Sequence, residues 1–363
     1  MIFFWTDILF FLLLLMLAGA IVRARSKEHL RRPWRKVARS RSAMVSLTVL
    51  VFYLAFAVLD SVHFRPSDTA GGDSKFKTEA MSLLDWWANP LRQRVEKTYS
   101  APFAVHAYAR ENIRGADGVA QRVYPRLQYG GAHLKNPEQD KAADILLTVT
   151  KGLAEGVLVW SVLTLALALG YKHTAKISFA ESCRMIACGH TDIPWRSVFL
   201  TVLLLLLAGF SLGECSLKYH VFGTDKVGED VFFQSLKSIR TGLLIGTLTT
   251  FVTLPLALVL GIMAGYFRGW VDDVIQYVYT TLNSIPGVLL IAASMLLMQA
   301  YMARHEAEFA SLALRADFRL LFLCMILGLT SWTGLCRLLR AETLKLREME
   351  YVQAARALGT PQG

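Results

Sequence analysis

Charge is scarce in this sequence, cysteine is scarcer, and the short motifs that mark many enzymes are missing. Charged residues make up 18% of the 363 residues while 54% are hydrophobic. That balance excludes an ordinary soluble protein of this size, because so much apolar surface needs lipid to face. The five cysteines are Cys183, Cys188, Cys215, Cys324 and Cys336, and none lies in the long polar stretch 60–144. No disulfide framework is implied there. Cys183, Cys188 and His190 match no zinc spacing and lack a fourth ligand, so they read as ordinary cytoplasmic thiols and no metal site is assigned. There is no G-x-x-x-x-G-K-[ST] loop to cradle nucleotide phosphates, and no H-E-x-x-H, G-x-S-x-G or paired C-x-x-C. No catalytic residue is assigned, and the chain reads as a non-enzyme.

What is present is a series of apolar runs. A helix needs about 20 consecutive apolar residues to span the hydrocarbon layer. Seven stretches qualify: 2–22, 43–59, 145–171, 197–213, 241–267, 274–303 and 320–336. The fold class is therefore an all-α integral membrane protein of about seven transmembrane helices. The third stretch contains Lys151 and Glu155, spaced to pair on one helix face near the membrane surface.

The net charge of +11 matters less than where it sits. Nine Lys or Arg and one acid crowd into 23–42, between the first two stretches. Such a cluster lies in the cytoplasm by the positive-inside rule, with membrane lipid rather than nucleic acid as its neighbour. The N-terminus then starts outside, as an uncleaved anchor, since Asp7 and the trailing basic cluster do not fit a signal peptide. The later loops agree. Residues 172–196 carry four basic and two acidic residues, and 337–363 carry five and three, both inside. The outside loops 214–240 and 304–319 each balance the two signs.

Residues 60–144 form an extracytoplasmic segment with Trp86, Trp87, Phe103, Tyr108, Tyr124 and Tyr129, a composition able to fold. A helix is expected over 77–87 and a turn at Gly130 and Gly131. His106, Glu111 and Asp117 are scattered among solvated charges, and the expected role of the segment is a docking platform. Residues 176–187 read as an interfacial amphipathic helix in the connector that follows the third stretch. The domain boundaries expected are 1–59, with the basic loop 23–42; 60–144; 145–196; and 197–363.

The last third carries the informative motifs. Residues 220–231 read H-V-F-G-T-D-K-V-G-E-D-V, in which Gly223 and Gly228 suit tight turns and Thr224, Asp225 and Asp230 can cap backbone N–H groups. Residues 264–273 read A-G-Y-F-R-G-W-V-D-D. Asn283, Pro286 and Gly287 mark a helix break, either a packing kink or a lining of the pathway. Residues 332–359 end in L-R-E-M-E-Y-V-Q-A-A-R-A-L-G, where Met349, Val352, Ala355, Arg356 and Gly359 recur at helical spacing and Ala354, Ala355 and Ala357 are small enough for close seating.

Together these runs resemble the permease subunits of the dipeptide/oligopeptide/nickel class of binding-protein-dependent ABC importers, over about residues 214–363. Glu229 stands where that family usually has Arg, Arg268 where Gly is common, and Gln353 at the position that gives the E-A-A motif its E. The family continues past the coupling glycine through two further spans, whereas this sequence stops at Gly363, as a fragment or a shortened product would. The resemblance implies a bacterial inner-membrane subunit that passes short peptides, nickel or related solutes inward from an external binding protein. It also implies a second permease subunit and separate ABC ATPases that hold ATP and Mg, with no cofactor on this chain. The coupling helix, about 341–359, would seat Glu350, Tyr351, Gln353, Ala354, Ala355, Ala357 and Gly359 in the ATPase cleft. Two other readings stand beside it: a non-transporting scaffold that binds an ATPase, and a membrane-anchored protein whose function lies in 60–144.

Overall fold

The structure, a computed structural model, describes residues 4–64, 81–114, 120–175, 193–309 and 311–359. The expected 176–187 helix, Cys183, Cys188, His190, Asp117, Pro361 and Gly363 lie outside the described residues. Helices dominate, because a backbone in lipid must satisfy its own N–H and C=O groups. In chain order they are α1 (Trp5–Ser26), α2 (Glu28–Arg39), α3 (Arg41–Ser61), α4 (Leu83–Trp87), α5 (Asn89–Arg92), α6 (Pro137–Ala175) and α7 (Trp195–Ser216). Then come α8 (Val231–Phe267), α9 (Trp270–Ser284), α10 (Gly287–Arg304), α11 (Leu312–Arg347) and α12 (Glu350–Ala357). Two antiparallel pairs complete the described elements: β1 (His63–Phe64) with β2 (Met81–Ser82), and β3 (Glu111–Arg114) with β4 (Ala120–Val123).

Six of these helices, α1, α3, α6, α7, α8 and α10, are long and apolar enough to cross a membrane. Their outer surfaces stay apolar: Leu158, Leu204, Val259 and Leu297 are all exposed. The seventh expected stretch, 320–336, lies inside the 36-residue α11, which is not among the six. The expected run 274–303 is split. Ile285 (ψ 125°) and Pro286 (ψ 118°) are extended between α9 and α10, because the proline ring removes a donor and pushes the residue before it out of the helical region. The expected helix over 77–87 is shorter, starting at Leu83. Met81 and Ser82 are extended instead, and Ser82 caps α4 in a reciprocal capping box with Asp85.

The chain divides into two compact units, Leu15–Arg240 and Ile2–Leu14 with Thr241–Gly363, so α1 and α8 each contribute to both. In the first unit, α6 and α7 pack as a close antiparallel pair. A Cβ at Gly152 would lie 2.7 Å from Ser211 Cα, and one at Gly156 3.3 Å from Leu207 Cα. These glycines, one turn apart, let the backbones touch where dispersion must hold helices together in lipid. Lys151 pairs with Glu155 at 3.7 Å as expected, and more closely with Glu214 at 2.8 Å. In the second unit, Gly261 and Gly265 play the same part for α8 against α11, where a Cβ would meet Cys336 O at 2.9 Å and Arg340 O at 2.8 Å. Ala257, Ala264, Ile275, Tyr279, Trp332 and Cys336 form the core there. The start of α1 joins the same unit, with the buried Thr6 hydroxyl donating to Asp317.

Gly152→Leu is therefore expected to destabilise the α6–α7 pair by about 2–3 kcal/mol, since backbone lies in the way. Gly209→Ala, with open surroundings, serves as the neutral control. Thermal unfolding of the two variants in detergent measures the difference.

Candidate functional site

The 220–231 run folds as a tight turn that ends at the first residue of α8. Gly223 (φ 77°) and Gly228 (φ 88°) are left-handed. A Cβ would stand 2.2 Å from Ser100 O at the first and 1.8 Å from Glu96 O at the second, so glycine is required at both. The neighbours come from 60–144. Glu96 N donates to Gly228 O (2.9 Å), Phe103 N to His220 O (2.9 Å), and the Thr224 hydroxyl to Thr98 O (2.8 Å). Asp225 accepts from the backbone of Val227 and Glu229, both at 2.9 Å, and closes the turn. Asp230 caps α8 by accepting from Phe232 N (2.8 Å) and Phe233 N (3.1 Å).

The other oxygen of Asp230 lies 2.7 Å from His220 Nδ1, while His220 Nε2 faces Glu96 at 3.4 Å, within ion-pair reach but without an aligned hydrogen bond. All three side chains are buried. Glu96 also accepts from the backbone N–H groups of Gln128 (2.9 Å), Tyr129 (2.7 Å) and Gly130 (3.3 Å). Burial alone would discharge His220, yet its bond to Asp230 and the charge of Glu96 beside it win and raise its pKa to about 9. Burial likewise works against the Glu96 carboxylate, and the His220 contact with the three backbone donors lowers its pKa to about 2. A cation between two anions thus joins the polar segment to the start of α8. Beside it, Asp144 at the start of α6 holds Lys218 (2.8 Å), Tyr219 OH (2.8 Å) and His133 (2.9 Å).

A second site is assembled at the end of α8 and along α9, α11 and α12. The α8–α9 turn needs two left-handed residues, Arg268 (φ 56°) and Gly269 (φ 61°). At Arg268 that conformation costs about 1 kcal/mol relative to glycine, offset by a 2.6 Å bond from its guanidinium to Glu348. Arg340 grips the buried Asp272 with both prongs, at 2.5 and 2.6 Å. That bond, outweighing burial, keeps the Asp272 carboxyl below its ordinary value. The expected helix 341–359 is two pieces. α11 ends at Arg347, Met349 is extended (ψ 140°), and α12 follows as a separate rod closed by the left-handed Gly359 (φ 79°). Arg356 stacks over the Tyr266 ring at 5.0 Å, and Gln353 donates to Glu348 O at 3.2 Å.

The family model for the inner-membrane component of binding-protein-dependent transport systems matches residues 257–363. The glutathione transport system permease protein GsiD of Pectobacterium atrosepticum is 29% identical over 148 residues, 41% of this chain and 43% of that protein. The oligopeptide transport system permease protein OppC of Mycobacterium tuberculosis is 29% identical over 39% of this chain and 43% of its own. The dipeptide transport system permease protein DppC of Bacillus subtilis is 26% identical over 39% and 38%. The similarity to that family model lies in the C-terminal part of the chain, residues 257–363. The match to these curated relatives spans under half of their length.

Of the seven residues expected to couple, Glu350, Tyr351, Gln353, Ala354, Ala357 and Gly359 are exposed and Ala355 is half-buried. Val352 and Arg356 are half-buried with it and turn inward, whereas Leu358 is exposed. Asn283 accepts from Thr333 at 3.0 Å, so it braces α9 on α11, while Pro286 and Gly287 are exposed at the break. A cavity of about 430 Å³ beside α9 is lined by Tyr279, Gly334, Arg337, Leu338 and Arg340, and none of the three break residues lines it. The turn at 220–231 precedes the residues matched by the family model. Gly223, Thr224, Gly228 and Asp230 come together there with Glu96, Thr98 and Ser100, which the sequence reading missed. No local spacing marks those three, because their partners in the turn lie more than a hundred residues away. Glu229, at the usual arginine position, is exposed and accepts from Gln234 at 2.9 Å. Among the described residues, no three His, Cys, Asp or Glu side chains form a group able to hold a metal ion.

The charge cluster makes stability depend on pH. A raised His220 pKa contributes stability fully below its ordinary 6.5 and loses it as pH climbs through about 9. A depressed Glu96 pKa contributes above its ordinary 4.5 and loses it as pH falls toward about 2. Thermal unfolding should therefore show the chain exceeding its His220→Asn variant most between those two ordinary values, with the gap closing by pH 9.

Proposed function

We propose that this chain is a permease subunit of an ATP-driven importer of short peptides in the bacterial inner membrane, and that α12 is its contact with the ATPase. The observation that carries this reading is the pose of α12. It is a short rod whose Arg356 stacks on Tyr266 and whose junction with α11 is fastened by the Arg268–Glu348 bond, with Tyr351, Ala354 and Leu358 left exposed at i, i+3 and i+7. That spacing is the helix-in-groove mode of recognition. Small side chains at Ala354 and Ala357 admit close approach, and the two fastenings turn a push on α12 into movement of α8 and α11. The work needed is mechanical, so no catalytic group is required on this chain, and ATP with Mg belongs to the partner.

The relatives named for glutathione, oligopeptide and dipeptide transport share peptide-like cargo, which supports short peptides over nickel. A second permease subunit, two ATPases and an extracytoplasmic binding protein complete the assembly. The basic run 23–42 supports an N-terminus on the outer side. The turn at 220–231, with 81–114 and 120–144 bonded to it, is then the platform on which the binding protein lands.

Ala354→Glu places a charge on the exposed face of α12 and should cut ATPase co-purification by about tenfold or more, while Gly242→Ala leaves it unchanged. Undiminished ATPase recovery with a correctly inserted Ala354→Glu chain contradicts the assignment of α12.

A further inference from the structure

The basic run between α1 and α3 is not a loop. It forms α2, a separate helix of 12 residues, with non-helical backbone on both sides at Lys27 (ψ 120°) and Ser40 (ψ 127°). At about 100° per residue, its side chains sort cleanly. Pro33, Val37, Leu30, Trp34 and Ala38 fall within one arc of about 140°. The remaining arc holds Arg31, Arg32, Arg35, Lys36 and Arg39, with His29 and Glu28. No residue of α2 is buried, and the apolar arc is open: Leu30 is 38%, Trp34 64% and Val37 43% exposed. A bond at 3.2 Å joins Glu28 to Arg32, and Glu28 is the single acid in the helix.

We propose that α2 is an in-plane membrane anchor that binds the acidic phospholipid surface of the cytoplasmic leaflet. Three observations favour lipid over a protein partner. The helix is joined by single-residue breaks to the ends of two spans, so it cannot leave the membrane surface. An apolar arc that carries a tryptophan, opposite five basic residues, is the composition that settles at the headgroup boundary. The charge is nearly all of one sign and complements phosphate monoanions, whereas protein grooves that take amphipathic helices do not need such an excess. The positive-inside rule explains which side the charge lies on; it does not explain why the charge is sorted onto one face of a helix with an open apolar stripe on the other. That sorting is what surface binding requires. The inference rests on α1 and α3 crossing the membrane and does not depend on the transport reading, so the two fail separately.

The test places the full chain in nanodiscs of phosphatidylcholine alone or with phosphatidylglycerol, with lipids brominated near the top of the acyl chain. The Trp34 signal is the fluorescence difference between the chain and its Trp34→Phe variant. In acidic nanodiscs the bromolipids should quench that signal and aqueous iodide should not. Replacing Arg31, Arg32, Arg35 and Lys36 together with Gln, or omitting phosphatidylglycerol, should reduce the bromolipid quenching about threefold. Retention of phosphatidylglycerol by the quadruple variant, followed by native mass spectrometry, should fall in parallel. Trp34 quenched by iodide in acidic nanodiscs overturns the proposal. So does Trp34 becoming shielded only when ATPase subunits are added, which would make the arc a protein-docking face. Quenching that is independent of both the basic residues and the acidic lipid overturns the acidic-lipid specificity.

Discussion

A buried histidine held between two carboxylates organises the first unit. His220 bonds Asp230, which caps α8, and faces Glu96, whose oxygens collect three backbone donors from 128–130. Removing either acid would strand a buried charge, and removing the histidine would set two anions against each other. The glycines at 223 and 228 exist because of this arrangement: the segment carrying Glu96 and Ser100 passes so close that no side chain fits. The polar segment is thus built around the entry to a long helix rather than tethered beside it.

The helices obey a different constraint. In lipid, burying apolar surface gives little drive for one helix to choose another, so contact depends on how closely backbones approach. Paired glycines one turn apart solve this in each unit, Gly152 with Gly156 and Gly261 with Gly265. Apart from the Lys151–Glu155–Glu214 group, the charged ties lie toward the ends of the helices. Asp144 with Lys218 ties the first turns of α6 to the residues just after α7, and Arg340 with Asp272 ties α11 to α9. A bonded Arg268 at a left-handed turn and a separate α12 follow, giving residues 257–359 a fixed base and one short terminal rod.

Much of this was legible in the sequence, for reasons that differ by residue. Composition and apolar length gave the membrane helices directly, because the bilayer reads length and hydropathy alone. Pro286 announced its own break, and Gly359 its own helix end, since both act through their local backbone. The division of the terminal helix at Met349 was not legible, because nothing in 341–359 forbids a continuous helix and the break is held by tertiary bonds to Arg268 and Tyr266. The half-burial of Ala355 was not legible for the same reason. Periodicity identifies a stripe but not which stripe the rest of the chain covers. Glu96, Thr98 and Ser100 carried no signal at all, as their meaning depends on partners far away in sequence. The sorting of charge along α2, by contrast, was present in the sequence and became meaningful once that run proved helical.

The central claim is that residues 81–114 and 120–144 and the start of α8 are one cooperative body locked by His220. Hydrogen exchange of the intact chain tests it directly, comparing the amides of Gln128, Tyr129, Phe232 and Phe233 before and after Glu96→Gln. The account predicts that both pairs lose protection together, although the mutation directly touches the donors of only the first pair. Loss of protection at Gln128 and Tyr129 alone, with Phe232 and Phe233 unchanged, would contradict it.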